Sequence, residues 1–109
     1  MSTEETKAIL DHHTAMLDAG DLDGLMEDYT EASIFVSNLS GVVTGLEGIR
    51  GIFSGATTGG LAGFEAGVEH VDGDIGYVTW SADGVPFGTD TFVIRDNKIL
   101  AQSVGLHFA

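Results

Sequence analysis

The sequence predicts an α+β fold, helices first and an antiparallel sheet after them. Two patterns carry this reading. Up to Phe53 the apolar residues recur three and four positions apart, as on one face of a helix, whereas from Phe64 to Phe108 they alternate in short runs. The runs are separated by Asp72-Gly73-Asp74, Asp83-Gly84 and Asp96-Asn97, residue types that reverse a chain in hairpins. A block of helices followed by hairpins implies helices laid on one sheet. At 109 residues with 43% hydrophobic content, a single domain over 1–109 with one core is expected.

The first helix places Ile9, His13, Met16 and Leu17 on one face. It begins among Thr3, Thr6 and Lys7 and ends at Gly20, a residue suited to a carboxy-terminal cap. Asp21 caps a second helix whose stripe is Leu22, Leu25, Met26 and Tyr29. Ile34 to Ser37 reads as a strand. Gly45 to Ser54 is a third helix that buries Leu46, Ile49, Ile52 and Phe53, and Gly48, Gly51 and Gly55 each weaken it by up to ~1 kcal/mol relative to Ala. Thr57 to Gly63, TTGGLAG, is expected to be a mobile loop, because glycine loses the most entropy on ordering. Four strands follow: Phe64 to Val71, Ile75 to Ala82, Phe87 to Arg95 and Ile99 to Phe108.

Seventeen acidic residues face four basic ones, Lys7, Arg50, Arg95 and Lys98, for a net charge of -13. Nucleic acid and anionic membranes are held by clustered Lys and Arg, and here the four stand singly, so neither is an expected partner. Without cysteine there is no disulfide, thiolate nucleophile or cysteine zinc site. No apolar run approaches the ~20 residues of a membrane span, and the polar, acidic start lacks the parts of a signal peptide; a cytoplasmic location is expected. Neither a G-x-x-x-x-G-K-[ST] nor a G-x-G-x-x-G opening a helix is present, which excludes the nucleotide folds. His12 and His13 are neighbours, about 100° apart on a helix, and do not share a metal. No cofactor and no metal is expected.

Function rests on Asp90. In the strand Phe87 to Arg95 the two-residue period puts Asp90 on one face with Phe92 and Ile94, opposite Thr89, Thr91 and Val93. Burial disfavours a charged carboxylate, so an acid on an apolar face either collects hydrogen-bond donors or has its pKa raised and becomes a donor itself. Asp90 is therefore either a structural aspartate or a pocket acid. Asp28 and Glu31 read as solvent-facing helix-end charges. On the strand Ile75 to Ala82, Val78 and Trp80 share one face and Tyr77 and Thr79 the other, with either face able to look inward. A sheet that is apolar on both sides needs cover on its outer face, which suits a homodimer through that face.

The stretch His13 to Phe53, HTAMLDAGDLDGLMEDYTEASIFVSNLSGVVTGLEGIRGIF, with its G-x-x-x-I-R-x-x-F helix, and the closing run GTDTFVIRDNKILAQSV together resemble the nuclear transport factor 2-like superfamily. The likeness is to its SnoaL-like and ketosteroid isomerase-like branch and covers Ala8 to Leu106. It implies a cystatin-like cone, a curved antiparallel sheet wrapped around amino-terminal helices with an apolar pocket inside. Asp90-Thr91-Phe92 matches the isomerase D-x-F segment, whose aspartate stays protonated and helps stabilise an enolate oxyanion. His13 stands where those enzymes carry their oxyanion-hole tyrosine, and it too donates hydrogen bonds, though a packed helix residue is the alternative.

Ser37, with Asn38 beside it, stands where the isomerases carry the proton-shuttling aspartate, and neither side chain is a general base near neutral pH. Tyr29, Phe35, Ser37, Phe53, Phe92, Gln102, Val104 and Leu106 would surround the cavity, as few polar groups among apolar ones usually do in small-molecule sites, unless the aromatics are ordinary core. The expectation is a small-molecule-binding cone protein, with proton transfer of isomerase or cyclase type on a small apolar carbonyl compound, catalysed by Asp90 with His13 assisting. The alternative is a non-catalytic ligand-binding or structural dimerisation domain.

Overall fold

A computed structural model describes residues 1–59 and 62–109 of the chain. Helix α1 (Thr3–Ala19) is fixed at its start by a capping box: Ser2 Oγ accepts from the Glu5 amide at 3.1 Å and Glu5 Oε1 accepts from the Ser2 amide at 3.0 Å. The cap is thus Ser2, one residue before the expected polar start, and the end is Gly20 at φ 68°, as expected. The buried centre of its face is Thr6, Leu10 and His13, flanked by Ile9, Met16 and Leu17.

Helix α2 (Leu22–Met26) is capped by Asp21, whose carboxylate accepts from the Gly24 amide at 2.9 Å. It ends three residues before Tyr29, which lies in the connector and not on the helical stripe as predicted. Strand β1 (Ile34–Ser37) turns back at once into β2 (Gly41–Thr44), a short strand that the sequence reading leaves unassigned. Helix α3 (Leu46–Gly59) runs past the expected end at Ser54, so Thr57 to Gly59 are helical rather than loop. Gly60 and Leu61 of the predicted loop lie outside the described residues.

Strands β3 (Glu65–Asp72), β4 (Ile75–Ala82), β5 (Val85–Arg95) and β6 (Lys98–His107) complete one curved sheet with the order β2-β1-β6-β5-β4-β3. The sheet is mixed and not wholly antiparallel, because β1 pairs in parallel with β6. After the β1–β2 hairpin the chain crosses through α3 to the far edge at β3 and returns strand by strand. β6 therefore closes against β1 in the same direction. Register shifts at Ala66/Glu69, Trp80/Ala82 and Val93/Ile94 supply bends that curve the sheet.

Register sorts the side chains into rows. Gly76, Phe92, Gln102 and Phe35 form one row on the concave, helix-covered face. Val78, Asp90, Val104 and Ser37 form the next, and Trp80, Gly88 and Leu106 the one nearest the open end. Val78 and Trp80 thus look inward and Tyr77 and Thr79 outward. Leu10 of α1 packs on bare Gly76, where a Cβ would collide with its side chain, and this close approach seats the helix on the sheet. Among the described residues no helix is long and apolar enough to cross a membrane.

Candidate functional site

Asp90 sits between Val78 and Val104 on the concave face, with both carboxylate oxygens engaged. Trp80 Nε1–H donates to Oδ1 at 3.0 Å and Gln102 Nε2–H donates to Oδ2 at 3.0 Å. The indole reaches this position because Gly88 lies beneath it; a Cβ on Gly88 would come within 2.5 Å of Trp80 Cε2. Behind Gln102 the chain of contacts continues inward. The Tyr29 hydroxyl donates to Gln102 Oε1, and His13 Nδ1 lies 3.5 Å from the same hydroxyl oxygen, a long polar contact. Gln102, Tyr29 and His13 are all buried.

Burial sets the charges of this chain. It raises the Asp90 carboxyl above the ordinary carboxylate range, against the opposing pull of the Trp80 and Gln102 donors. Burial, with the neighbouring His12 adding to it, lowers the His13 imidazole from 6.5 to about 4. Burial first, then the charges of Asp90 and Asp28, hold the Tyr29 phenol well above its usual value. At neutral pH His13 and Tyr29 are therefore uncharged. Since the one hydroxyl hydrogen of Tyr29 goes to Gln102, its oxygen accepts from His13, and Nδ1 carries the imidazole hydrogen.

The predicted aromatic residues come together around this chain. The His13 ring meets Phe92 edge-on at 5.3 Å and Phe53 at 5.7 Å, and Phe35 meets Phe53 at 5.8 Å. They fill the space below Asp90, and among the described residues no buried side-chain nitrogen or oxygen lacks a partner. The remaining approach to Asp90 is from the open end, past Trp80 and Leu106, where Phe64 lies over Trp80 at 5.9 Å. Two open depressions mark the surface: one between α2 and α3, beside Met26 and Arg50, the other at the sheet edge, beside Ala66, Trp80 and Phe87.

Ser37 shares the row of Asp90 but belongs to the β1–β2 turn. Its Oγ accepts from the amides of Leu39 at 3.2 Å and Ser40 at 2.9 Å and pairs with Ser40 Oγ at 2.8 Å. Val104 and Leu106 keep the Gln102 face, and Asn38 clamps the Leu106 backbone through both its amide and carbonyl at 2.8 Å. Trp80 is the site residue absent from the sequence-derived set.

Asp28 corrects the sequence reading. It is buried at 5% exposure, and its carboxylate takes His12 Nδ1 at 2.7 Å. Burial raises this carboxyl too, while the hydrogen bond from His12 opposes the rise. Glu31 is exposed, as expected. Among the described residues no group of three or more His, Asp or Glu is placed to hold a metal ion.

No protein-family model and no curated protein matches the sequence. Solved structures do match. A nuclear transport factor 2-like protein of unknown function from Burkholderia xenovorans LB400 superposes with a TM-score of 0.83 at 21% identity, over 100% of this chain and 88% of that one. A steroid delta-isomerase from Pseudomonas aeruginosa gives a TM-score of 0.81 at 19% identity, over 94% and 80% of the two chains. A SnoaL-like protein of unknown function from Burkholderia thailandensis E264 gives 0.79 at 16%, over 100% and 98%. This chain has the nuclear transport factor 2-like cone fold. At such identities the likeness carries the fold alone, and any chemistry has to come from the residues.

Proposed function

We propose that the chain binds a small, neutral, largely apolar molecule carrying a hydrogen-bond acceptor, such as a cyclic carbonyl compound, at the open end of the cone with Asp90 as its polar contact. The observation that supports this is the setting of Asp90: a carboxyl on an apolar concave face, raised by burial, with an N–H already on each oxygen. A proton on Asp90 would be donated to the ligand oxygen. An anionic ligand is disfavoured by the net charge of -13 and by the engagement of Lys7 with Glu69, Arg50 with Asp23 and Lys98 with the Glu27 carbonyl.

Isomerisation of a carbonyl compound needs a base to move a carbon-bound proton, and Ser37 supplies none. Loss of a general base costs a factor of ~10² to 10⁴, so turnover of a β,γ-unsaturated ketosteroid is expected near background. Ser37→Asp keeps an oxygen for the turn amides, since Asp caps turns as Ser does, and should raise turnover. Fast wild-type turnover would point to another base.

Binding is tested by titrating cyclohex-2-enone while following the fluorescence of Trp80, the sole tryptophan, and the Asp90 carboxyl carbon by NMR. Saturable changes are expected in both signals, and the Trp80 change should be lost in Asp90→Ala. The ring-filled interior favours a second reading, a structural domain without a ligand, and an unmoved Asp90 and Trp80 would decide for it.

A homodimer through the outer sheet face is part of the same proposal. Ile75, Val93, Ala101 and Ile34 form one outer row, and Tyr77, Thr91, Ser103 and Val36 the next. On β4, β5, β6 and β1 these rows hold no Asp, Glu, Lys or Arg, and their continuation onto β3 adds Asp72 beside Ile75; in a chain of net charge -13 this is a face on which two copies meet with little repulsion. Sedimentation at micromolar concentration should give the dimer, and a monomer alone would sink it.

A further inference from the structure

Every member of the chain from His13 to Asp90 is able to reverse. Tyr29 has one hydroxyl hydrogen and an accepting oxygen; Gln102 has one accepting and one donating end; neutral His13 carries its hydrogen on either ring nitrogen. In the setting described above, His13 Nδ1–H points to Tyr29, Tyr29 to Gln102 Oε1, and Gln102 Nε2–H to the Asp90 carboxylate. A proton on Asp90 Oδ2 facing Gln102 would oppose N–H with O–H. The conflict is relieved when the amide turns over: Asp90 then donates to Oε1, Nε2–H donates to Tyr29, and Tyr29 donates to His13 Nδ1, whose hydrogen has moved to Nε2. Both settings keep Nδ1 of His13, Tyr29, Gln102 and Asp90 paired with one another, and no atom shifts by more than the amide rotation requires.

We infer that His13, Tyr29, Gln102 and Asp90 form a two-setting hydrogen-bond relay, in which protonation of Asp90 turns the Gln102 amide and exchanges the tautomer of His13. Tyr29 and Gln102 are positioning residues in it. The titratable groups that face Asp90 among the described residues are Tyr29, through Gln102, and His13 of α1; Val78, Trp80 and Val104 on the flanking strands do not titrate. Burial keeps Tyr29 un-ionised, leaving Asp90 as the input. Resting on the ligand reading above, a carbonyl oxygen at Asp90 competes with Gln102 Oε1 for the acid hydrogen and returns the relay to its first setting. An occupied site is then legible at His13, which no ligand touches.

The nitrogen shifts of the His13 ring distinguish the two tautomers from the imidazolium, in which both nitrogens carry hydrogen. As pH falls through the Asp90 midpoint, seen at its carboxyl carbon, wild-type His13 should exchange an Nδ1 hydrogen for an Nε2 hydrogen. Gln102→Leu and Tyr29→Phe should titrate at Asp90 without that exchange; if the first does not fold, the second suffices. A wild-type His13 that keeps Nδ1–H throughout, an exchange that survives in either variant, or imidazolium forming in step with Asp90 would overturn the relay. Below the midpoint, saturating cyclohex-2-enone should restore Nδ1–H. An enone that shifts the Asp90 carbon but leaves the tautomer unchanged overturns the coupling, whereas one that moves neither residue counts against the ligand reading while the pH result stands.

Discussion

Two adjacent residues of α1 reach two adjacent residues of the connector after α2, and the two rungs behave differently. The outer rung joins His12, 37% exposed at its side chain, to the buried carboxylate of Asp28 at 2.7 Å. The inner rung joins His13 to Tyr29, both buried and both uncharged, and leads through Gln102 to Asp90. In each, burial raises a carboxyl. The difference is the partner: Asp28 is paired with an imidazole nitrogen of His12, whereas Asp90 has only the N–H donors of Trp80 and Gln102. The first carboxyl is engaged by an ionisable side chain of the protein itself, and the second, on the ligand reading above, is left to respond to what enters the cone. A single step along both chain segments thus separates a clamp from a candidate site.

The largest expected effect tests the claim that the inner rung is uncharged. A buried histidine lowered from 6.5 to about 4 binds its proton less readily folded than unfolded, so its contribution is complete above pH 6.5 and is lost as pH falls toward 4. At 1.36 kcal/mol per pKa unit this amounts to about 3 kcal/mol. Asp28 and Asp90 act with the opposite sign, their contributions being present at low pH and lost as pH rises through their raised folded values. The His13 effect is therefore read as a difference. Urea unfolding of wild type and His13→Phe from pH 7.5 down to 4.5 should show the variant gaining relative to wild type by most of that amount; a constant difference would mean that His13 takes up its proton as readily folded as unfolded.

A smaller effect is expected from breaking the Asp90 end while leaving the outer rung alone. Gly88→Val puts branched carbon against the Trp80 ring, which is bounded by Phe64 on its other side. Overpacking of this kind costs typically ~1 to 3 kcal/mol. With the Trp80 donor displaced, the Asp90 midpoint should rise, and Trp80 emission should shift to the red. Thermal unfolding and the Asp90 titration check both, and an unchanged Asp90 midpoint would show that Trp80 contributes nothing to it.

The inner rung was partly legible in sequence and the outer rung was not. Alternation alone placed Asp90 with Phe92 and Gln102 with Val104, because strand parity is local. Trp80 escaped because parity was broken upstream. The Asp83-Gly84 turn pairs Ala82 with Val85, and uninterrupted pairing would set Val78 against Thr89, on the face away from Asp90. The bulge between Trp80 and Ala82 shifts the register by one and sets Val78 against Asp90 instead. Asp28 was misplaced because α2 ends at Met26, after which the helical period no longer says which way a side chain points. The parallel pairing of β1 with β6 joins segments more than sixty residues apart and leaves no local mark. Helix α3 outran its glycines because extending a formed helix costs far less than starting one.

The smallest effect separates the rungs most directly. His12→Ala removes the hydrogen-bond partner of a buried carboxylate and leaves Asp28 held by its backbone bonds to Leu25 and Ile99. Hydrogen bonds to charged groups contribute roughly 1.5 to 3 kcal/mol, and the partial exposure of His12 reduces that to about 1 kcal/mol. The sign with pH follows from Asp28. Losing His12 removes an interaction that opposes the rise, so the folded carboxyl is raised further and binds its proton more firmly. The penalty is then greatest at neutral pH and fades in acid, as Asp28 becomes neutral in both proteins. Asp28→Asn, which keeps shape without charge, should show a flatter profile than His12→Ala. Because the outer rung does not enter the relay, neither variant should move the His13 tautomer at neutral pH. A His12→Ala protein whose His13 lost its Nδ1 hydrogen would show that the clamp orients the site as well as holding the fold.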